Sequence, residues 1–344
     1  MTDNMIIPFF IPHAGCPHQC VFCDQKSITG KSALPDPSSL PLAISSCLAT
    51  ASPGGPVQVA FYGGSFTALP VEVQKRYLGA VQPFLDAGTV ESIRLSTRPD
   101  AVTPDILSLL KQYHVSTVEL GAQSMDDEVL LLSGRGHTAA HTISAVRLLR
   151  EHAFTIGLQL MPGLPGDTSE RFHDTVSRVI SLKSDLVRVY PALVIRDTPL
   201  AVLYRAGKYA PLSLDDAVHI CCDAMDRFEQ AGITVVRVGL QSTEELERPG
   251  TVLAGPWHPA FRQLVESSRF LESMRALLEP GNASGPITFA VNPADLSSAI
   301  GQNRRNLHAI RDQYGRDATI IADPALPKGT VRNCPSCNPK EIGL

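Results

Sequence analysis

A chain of 344 residues that is 44% hydrophobic and 19% charged has the apolar content for one large core plus a smaller appended unit. Its formal net charge of −4 excludes recruitment of nucleic acid by a global basic field and leaves that role to local patches. No run of about 18 apolar residues argues for a membrane span, and Asp3 with no basic stretch is unlike a secretory leader, so eight cysteines point to a cytoplasmic, reducing setting and to metal chemistry rather than disulfides.

The first predicted strand, Met5–Ile11, leads to Cys16-Pro17-His18-Gln19-Cys20-Val21-Phe22-Cys23. A thiolate is a soft ligand, and three on one short loop can hold three corners of a cubane iron–sulfur cluster. The fourth iron then lacks a protein ligand and is open to a substrate. Phe22 is placed to shield such a cluster from water. Two blander readings stand beside this one: three of the four ligands of a structural zinc, and buried thiols close together by accident. The tight spacing favours the cluster.

Further strands are predicted at Val57–Tyr62, Ser92–Ser96, Ser116–Gly121, Thr155–Met161 and Leu186–Pro191. Helical patterns lie between them at Pro70–Leu85, Thr103–Tyr113, Thr138–His152 and Thr168–Ser181, the second and fourth opening on a threonine cap. Strands alternating with helices imply parallel βαβ units, hence a sheet or barrel with helices outside. A helix at Leu214–Ala231 and a strand at Thr234–Val238 extend this core. The polar, turn-rich segment Gln241–Pro256 reads as a linker, which places the core at residues 1–245 and a second domain at 246–344.

In a parallel barrel, chemistry collects where strands end. The second strand ends in Tyr62-Gly63-Gly64-Ser65, whose paired glycines allow a sharp turn and close approach to a ligand. The third ends in Ser96-Thr97-Arg98-Pro99-Asp100, the fourth in Glu119-Leu120-Gly121-Ala122-Gln123, and the fifth in Gln159-Leu160-Met161. Gly134-Arg135-Gly136-His137-Thr138 opens the next helix. A lone polar residue after a strand is ordinary surface; several after successive strands of one barrel converge on one cavity. Tyr190, Arg196 and Tyr204 follow the sixth strand and are expected at the cavity mouth, although a tyrosine there more often packs. Glu119 and Arg237, both in strands, are candidates for a buried pair without a catalytic role.

The C-x3-C-x2-C loop resembles the signature of the radical S-adenosylmethionine (radical SAM) superfamily. The strings STRPD, VELGAQSMDDEVL, GRGHT, LMPGLPGDT and VYPALVIRDTPL resemble the core of the Elongator catalytic-subunit family over about residues 5 to 245. That resemblance implies a partial (β/α)6 TIM-type barrel and a 4Fe-4S cluster on Cys16, Cys20 and Cys23. It also implies S-adenosylmethionine as cofactor, an electron donor protein as partner, and reductive cleavage to a 5′-deoxyadenosyl radical. Gly63, Gly64 and Ser65 are similar to a GGE-type motif, with Ser in place of Glu, whose backbone accepts the cofactor's amino group. In the related oxygen-independent coproporphyrinogen oxidases, the positions matching Ser96, Gln123, Arg135 and Gln159 contact the cofactor. Gln123 and Arg135 keep the residue type, with Arg135 suited to the methionyl carboxylate, whereas Ser96 replaces a Glu and Gln159 an Asp. The Elongator enzymes have a longer first cysteine gap and an added acetyltransferase domain, for which no stretch of this sequence is long enough. Transfer of an acetyl-derived group is therefore not implied.

The tail is predicted as strand Ile287–Val291, helix Pro293–Ile300, a turn at Gly301, helix Arg304–Tyr314 and strand Ala318–Ala322. It is similar to a KH module, whose Gly-x-x-Gly loop clamps a nucleic-acid backbone, with Arg304 in place of the second glycine. Gly301, Arg304 and Arg305 are the expected RNA contacts; the alternative is a capping domain with a solvated basic face. Cys334 and Cys337 have the spacing of half a zinc site. Taken together, these features imply a radical SAM enzyme modifying tRNA or another RNA. Two alternatives are action on a small molecule such as a tetrapyrrole or cofactor precursor, and a non-catalytic iron–sulfur sensor.

Overall fold

The computed structural model of the protein describes residues 5–25, 28, 34–50, 55–278 and 285–334. Up to residue 257 its described strands are β1 Met5–Phe10, β2 Val57–Tyr62, β3 Ser92–Thr97, β4 Val115–Gln123, β5 Thr155–Leu160, β6 Leu186–Val189, β7 Val194–Ile195, β8 Thr234–Val238 and β9 Val252–Ala254. β1 to β6 and β8 form one sheet in the order β1-β2-β3-β4-β5-β6-β8. Every neighbouring pair in it is parallel. The sheet is curled into a partial barrel. All six expected strands are present, and Thr234–Val238 adds a seventh.

Sequence periodicity explains the layering. Side chains along a strand alternate between faces, and in β4 the residues Val118, Leu120 and Ala122 are buried while Glu119, Gly121 and Gln123 line an interior cavity. β1 does the same, with Ile6, Pro8 and Phe10 on the cavity side and Ile7 in the core. The helices start where threonines satisfy free amides. Thr103 accepts from the Ile106 amide, and Thr168 from the Arg171 amide. The pattern Pro70–Leu85 is two helices, Val71–Gly79 and Gln82–Asp86, with Pro83 near the second start, a position where its missing N–H costs nothing.

The segment 241–256 is not a linker. Thr243 caps a short helix, Glu244–Glu247, and β9 pairs antiparallel with β7. Leu246 joins Leu193 and Ile195 in a small core, with Leu240, Val252 and Trp257 packed against it. Burying these apolar side chains, at about 1.5–3 kcal/mol each, holds the segment to the barrel.

The chain divides into two compact units, residues 1–217 with 224–257, and residues 218–223 with 258–344. In the second, the helix Phe261–Ala276 precedes β10 Ile287–Val291, the helix Leu296–Ile300, the helix Arg305–Tyr314, β11 Ala318–Ala322 and β12 Val331–Asn333. β10 is central, parallel to β11 and antiparallel to β12. Phe270, Met274, Phe289, Val291 and Ile310 form its core. The expected strand–helix–turn–helix–strand order is thus observed, with β12 added. Cys334 is buried; Cys337, its partner in the expected zinc half-site, lies outside the described residues.

Candidate active site

The loops after β1 to β6 converge on a cavity of about 660 Å³ lined by Cys16, Cys20 and Cys23. Its wall also includes Gly63, Gly64, Ser65, Ser96, Gln123, Arg135 and Gln159. Every residue expected from the sequence to hold cluster or cofactor therefore faces one space. Phe22 lines it too, and packs with Tyr190 against Val129, Met161 and Leu164.

Backbone packing fixes the cysteine loop from two sides. On one side the Ser65 amide donates to Ala14 O at 2.7 Å, and the Gly64 amide to Gln25 Oε1 at 2.9 Å. Gly64 has φ +57°, and a Cβ there would overlap the Ala14 and Ile11 carbonyl oxygens, so only glycine fits. On the other side the Val21 amide donates to Ser133 O at 3.1 Å. Gly136, at φ +69°, lies against the His18 ring, where a Cβ would collide with it. The GG and GRG strings are therefore the two jaws that hold the thiols.

Each thiol has a polar partner at its sulfur. Ser65 Oγ is 3.6 Å from Cys16 Sγ, Arg135 Nη1 donates to Cys20 Sγ at 3.2 Å, and the Gln25 side chain bonds Cys23. Burial pushes the Cys16 thiol up. Burial, together with the neighbouring Cys20 and Cys16, pushes Cys23 up to about 12. Cys16 and Cys23 so placed stay protonated when bare; iron held there would supply the positive charge that deprotonates a coordinating thiol. Three cysteines lining one cavity, each with a polar partner at its sulfur, are a donor set of the kind a cubane cluster takes.

Arg135 is committed to this loop: besides Cys20 it donates through Nη2 to Gly121 O. Gln123 ends β4 at a register shift, with φ +66°. Such a left-handed conformation costs a non-glycine residue about 1–2 kcal/mol. Its buried Oε1 has no partner within the described residues, and an orphaned acceptor in a cavity wall suits a ligand's donor.

The sequence reading missed the floor of the cavity. Glu119 pairs not with Arg237 but with Arg94 and Arg188. Arg188 Nε donates to Glu119 Oε2 at 2.5 Å, and Arg94 Nη2 lies 2.7 Å from Oε1, off the hydrogen-bond axis. Arg188 also donates to the Tyr62 hydroxyl at 2.9 Å and the Tyr190 hydroxyl at 3.3 Å. Burial, then the Glu119 charge, raises Tyr62 to about 12, so it stays a neutral phenol. Of the three residues expected at the mouth, Tyr190 lines the cavity. Arg196 instead contacts Thr251, and Tyr204 is exposed on the helix Pro199–Arg205.

The family model of the radical SAM superfamily matches residues 10–179, and that of the radical SAM C-terminal domain residues 184–269. The tRNA uridine(34) acetyltransferase of Methanocaldococcus jannaschii is 30% identical over 189 residues, covering 49% of this chain and 35% of that protein. Elongator complex protein 3 of Homo sapiens is 27% identical over 184 residues, covering 48% of this chain and 34% of that one. This chain thus spans about a third of the length of these relatives. The solved structure of Methanocaldococcus infernus Elp3 superposes with a TM-score of 0.63 at 21% identity, covering 81% of this chain and 64% of that one, which shows a shared fold. Members of the matched family bind a 4Fe-4S cluster and S-adenosylmethionine, the two groups the cavity's thiols and polar wall accommodate. The chain belongs to the radical SAM superfamily.

Proposed function

We propose that this chain cleaves S-adenosylmethionine reductively at a 4Fe-4S cluster on Cys16, Cys20 and Cys23, and that its substrate is RNA, with tRNA the first to test. The observation that carries the first part is the set of three thiols, each with a polar partner at its sulfur, opening on one cavity. Bound together, cluster and cofactor supply one-electron cleavage of the sulfonium to a 5′-deoxyadenosyl radical.

The chain's own residues supply position and exclusion. The backbone of Gly63 and Gly64 receives the cofactor's amino group. Ser96 and Gln159 reach its polar edges from the ends of β3 and β5, and Gln123 Oε1 accepts a donor from it. Arg135 answers negative charge at the cluster and at the methionyl carboxylate. Phe22 and Met161 close the apolar side against water, which strengthens every polar contact inside.

The RNA assignment rests on the names of the relatives and on the second unit. Its turn after the helix Leu296–Ile300 has Gly301 at φ +76°, Asn303 at +51° and Arg304 at +60°. Three of the four residues 301–304 thus have positive φ, with arginine where a Gly-x-x-Gly loop has its second glycine. In this reading Gly301, Arg304 and Arg305 meet phosphates, with a strong salt dependence. No described helix is long and apolar enough to cross a membrane, and a cytoplasmic setting with an electron donor protein completes the proposal.

The test is anaerobic reduction of the reconstituted protein with S-adenosylmethionine and total tRNA, followed by nucleoside analysis. Release of 5′-deoxyadenosine together with a changed nucleoside supports both parts. Release without any changed nucleoside removes RNA and favours a small molecule. No release leaves an iron–sulfur sensor.

A further inference from the structure

Beyond the cluster and cofactor residues, the cavity has an unbalanced charge on one wall. Arg188 and Arg237 are register partners on the adjacent parallel strands β6 and β8, and both line the cavity. Like charges side by side on a sheet repel. Glu119 is the carboxylate at this wall, and it is shared between Arg94 and Arg188. On the opposite wall Arg98 is matched by Asp100, with two bonds of 3.0 Å, and Arg135 is committed to Cys20. Among the described residues Arg237 has no carboxylate within ion-pair reach. The Tyr190 hydroxyl accepts from Arg188 and keeps its own proton to donate, whereas the Tyr62 hydroxyl gives its proton to Glu119 Oε1 at 3.3 Å.

An excess of guanidinium over carboxylate in a partly desolvated cavity is costly unless an anion enters. The cluster loop follows β1, at the other end of the sheet order from β8, so the thiolates' charge is answered by Arg135 rather than Arg237. We propose that Arg237, with Arg188 and the Tyr190 hydroxyl, forms a subsite for an anionic oxygen group of the substrate, a carboxylate or a phosphate. This deepens the radical SAM reading and rests on it. Planar guanidiniums bind both groups bidentately, so the two sources share one chemistry.

The test uses the reconstituted, oxidised holoprotein saturated with S-adenosylmethionine and titrated calorimetrically with inorganic phosphate or with acetate. Saturable binding of at least one is expected, and the tighter probe identifies the group. Arg237→Gln is expected to weaken that binding about tenfold or more, the loss of a charge-assisted bond, while Arg237→Lys retains most of it. The proposal is overturned if neither probe binds the wild type, if Arg237→Gln binds as tightly as wild type, or if Arg237→Gln lowers cofactor affinity and leaves anion affinity intact. Release of 5′-deoxyadenosine by the reduced wild type tests the underlying reading separately, so the two failures are distinguishable.

Discussion

Glu119 reaches Arg188 across an intervening strand. Glu119 lies on β4 and Arg188 on β6, with β5 between them, and the register places Gly157 of β5 beside Glu119. A Cβ at Gly157 would come 2.8 Å from Glu119 Cγ and 2.6 Å from Leu186 Cδ1. The missing side chain is the passage through which the carboxylate meets its guanidinium. Arg94 closes the pair from β3, so one carboxylate holds three strands of the barrel together.

Removing that carboxylate leaves two buried guanidiniums without a counter-ion. Glu119→Gln is expected to cost about 3–5 kcal/mol, the range for breaking a buried pair from one side. Gly157→Ala should cost about 1–3 kcal/mol by overpacking. Urea unfolding of both variants checks this, and a loss under about 1 kcal/mol for Glu119→Gln would contradict the assignment.

His137 is expected to make the fold acid-sensitive. His137 is 4% exposed, and neither ring nitrogen makes a well-aligned hydrogen bond within the described residues, the Ala122 backbone being the polar group beside it. Burial first, then repulsion from Arg135 and Arg98, lowers it to about 3. An unfolded histidine titrates near about 6.5, so below that pH the unfolded chain takes up a proton that the fold refuses. The contribution is fully present above about 6.5 and is lost as pH falls towards 3. His137→Leu should flatten the fall in unfolding free energy between those values, by up to about 1.4 kcal/mol per pH unit. An unchanged slope would remove His137 as its cause.

Polar partners at the sulfurs would tune how readily a cluster held there accepts an electron. Hydrogen bonds to ligating sulfurs are among the determinants of cluster potential, and each stabilises the more negative, reduced state. Ser65→Ala and Gln25→Leu should therefore lower the midpoint potential, and Arg135→Met should lower it further because a charge is lost. An EPR-monitored redox titration reads this directly. Equal potentials in all three variants and the wild type would show that the contacts are structural only.

Much of the fold was legible because its signals are local. Val57–Tyr62 and Thr234–Val238 are short β-rich apolar runs, and their observed bounds coincide with the expected ones. The thiol loop was legible because three soft ligands within eight residues have few other uses. Segment 241–256 was misread because Thr243, Gly250 and the glutamates of a single helical turn conceal how few apolar residues, Leu246 and Val252, are needed to anchor it. The partner of Glu119 was missed for a different reason. Arg188 is 69 residues away in sequence, and only the strand register, plus the gap at Gly157, brings the two together. Nor does composition reveal that Gln123 is left-handed; that follows from a register shift in β4.

Arg304 offers a separation of stability from binding. It holds a left-handed backbone at φ +60°, a conformation that costs a non-glycine residue about 1–2 kcal/mol. Arg304→Gly should leave thermal stability equal or slightly higher, since glycine's own entropy offsets part of the relief. If the loop meets RNA, the same change should weaken tRNA binding and reduce its salt slope by about 1. Unchanged affinity and slope would assign the loop to structure alone.

The central claim is that Cys16, Cys20 and Cys23 leave one iron of a 4Fe-4S cluster open to S-adenosylmethionine. The most direct measurement is the EPR spectrum of the anaerobically reconstituted, reduced protein before and after the cofactor is added. The expected result is a four-iron signal that shifts on addition and is absent when all three cysteines are replaced by alanine. A signal that survives the triple replacement, or does not respond to S-adenosylmethionine, would contradict the account.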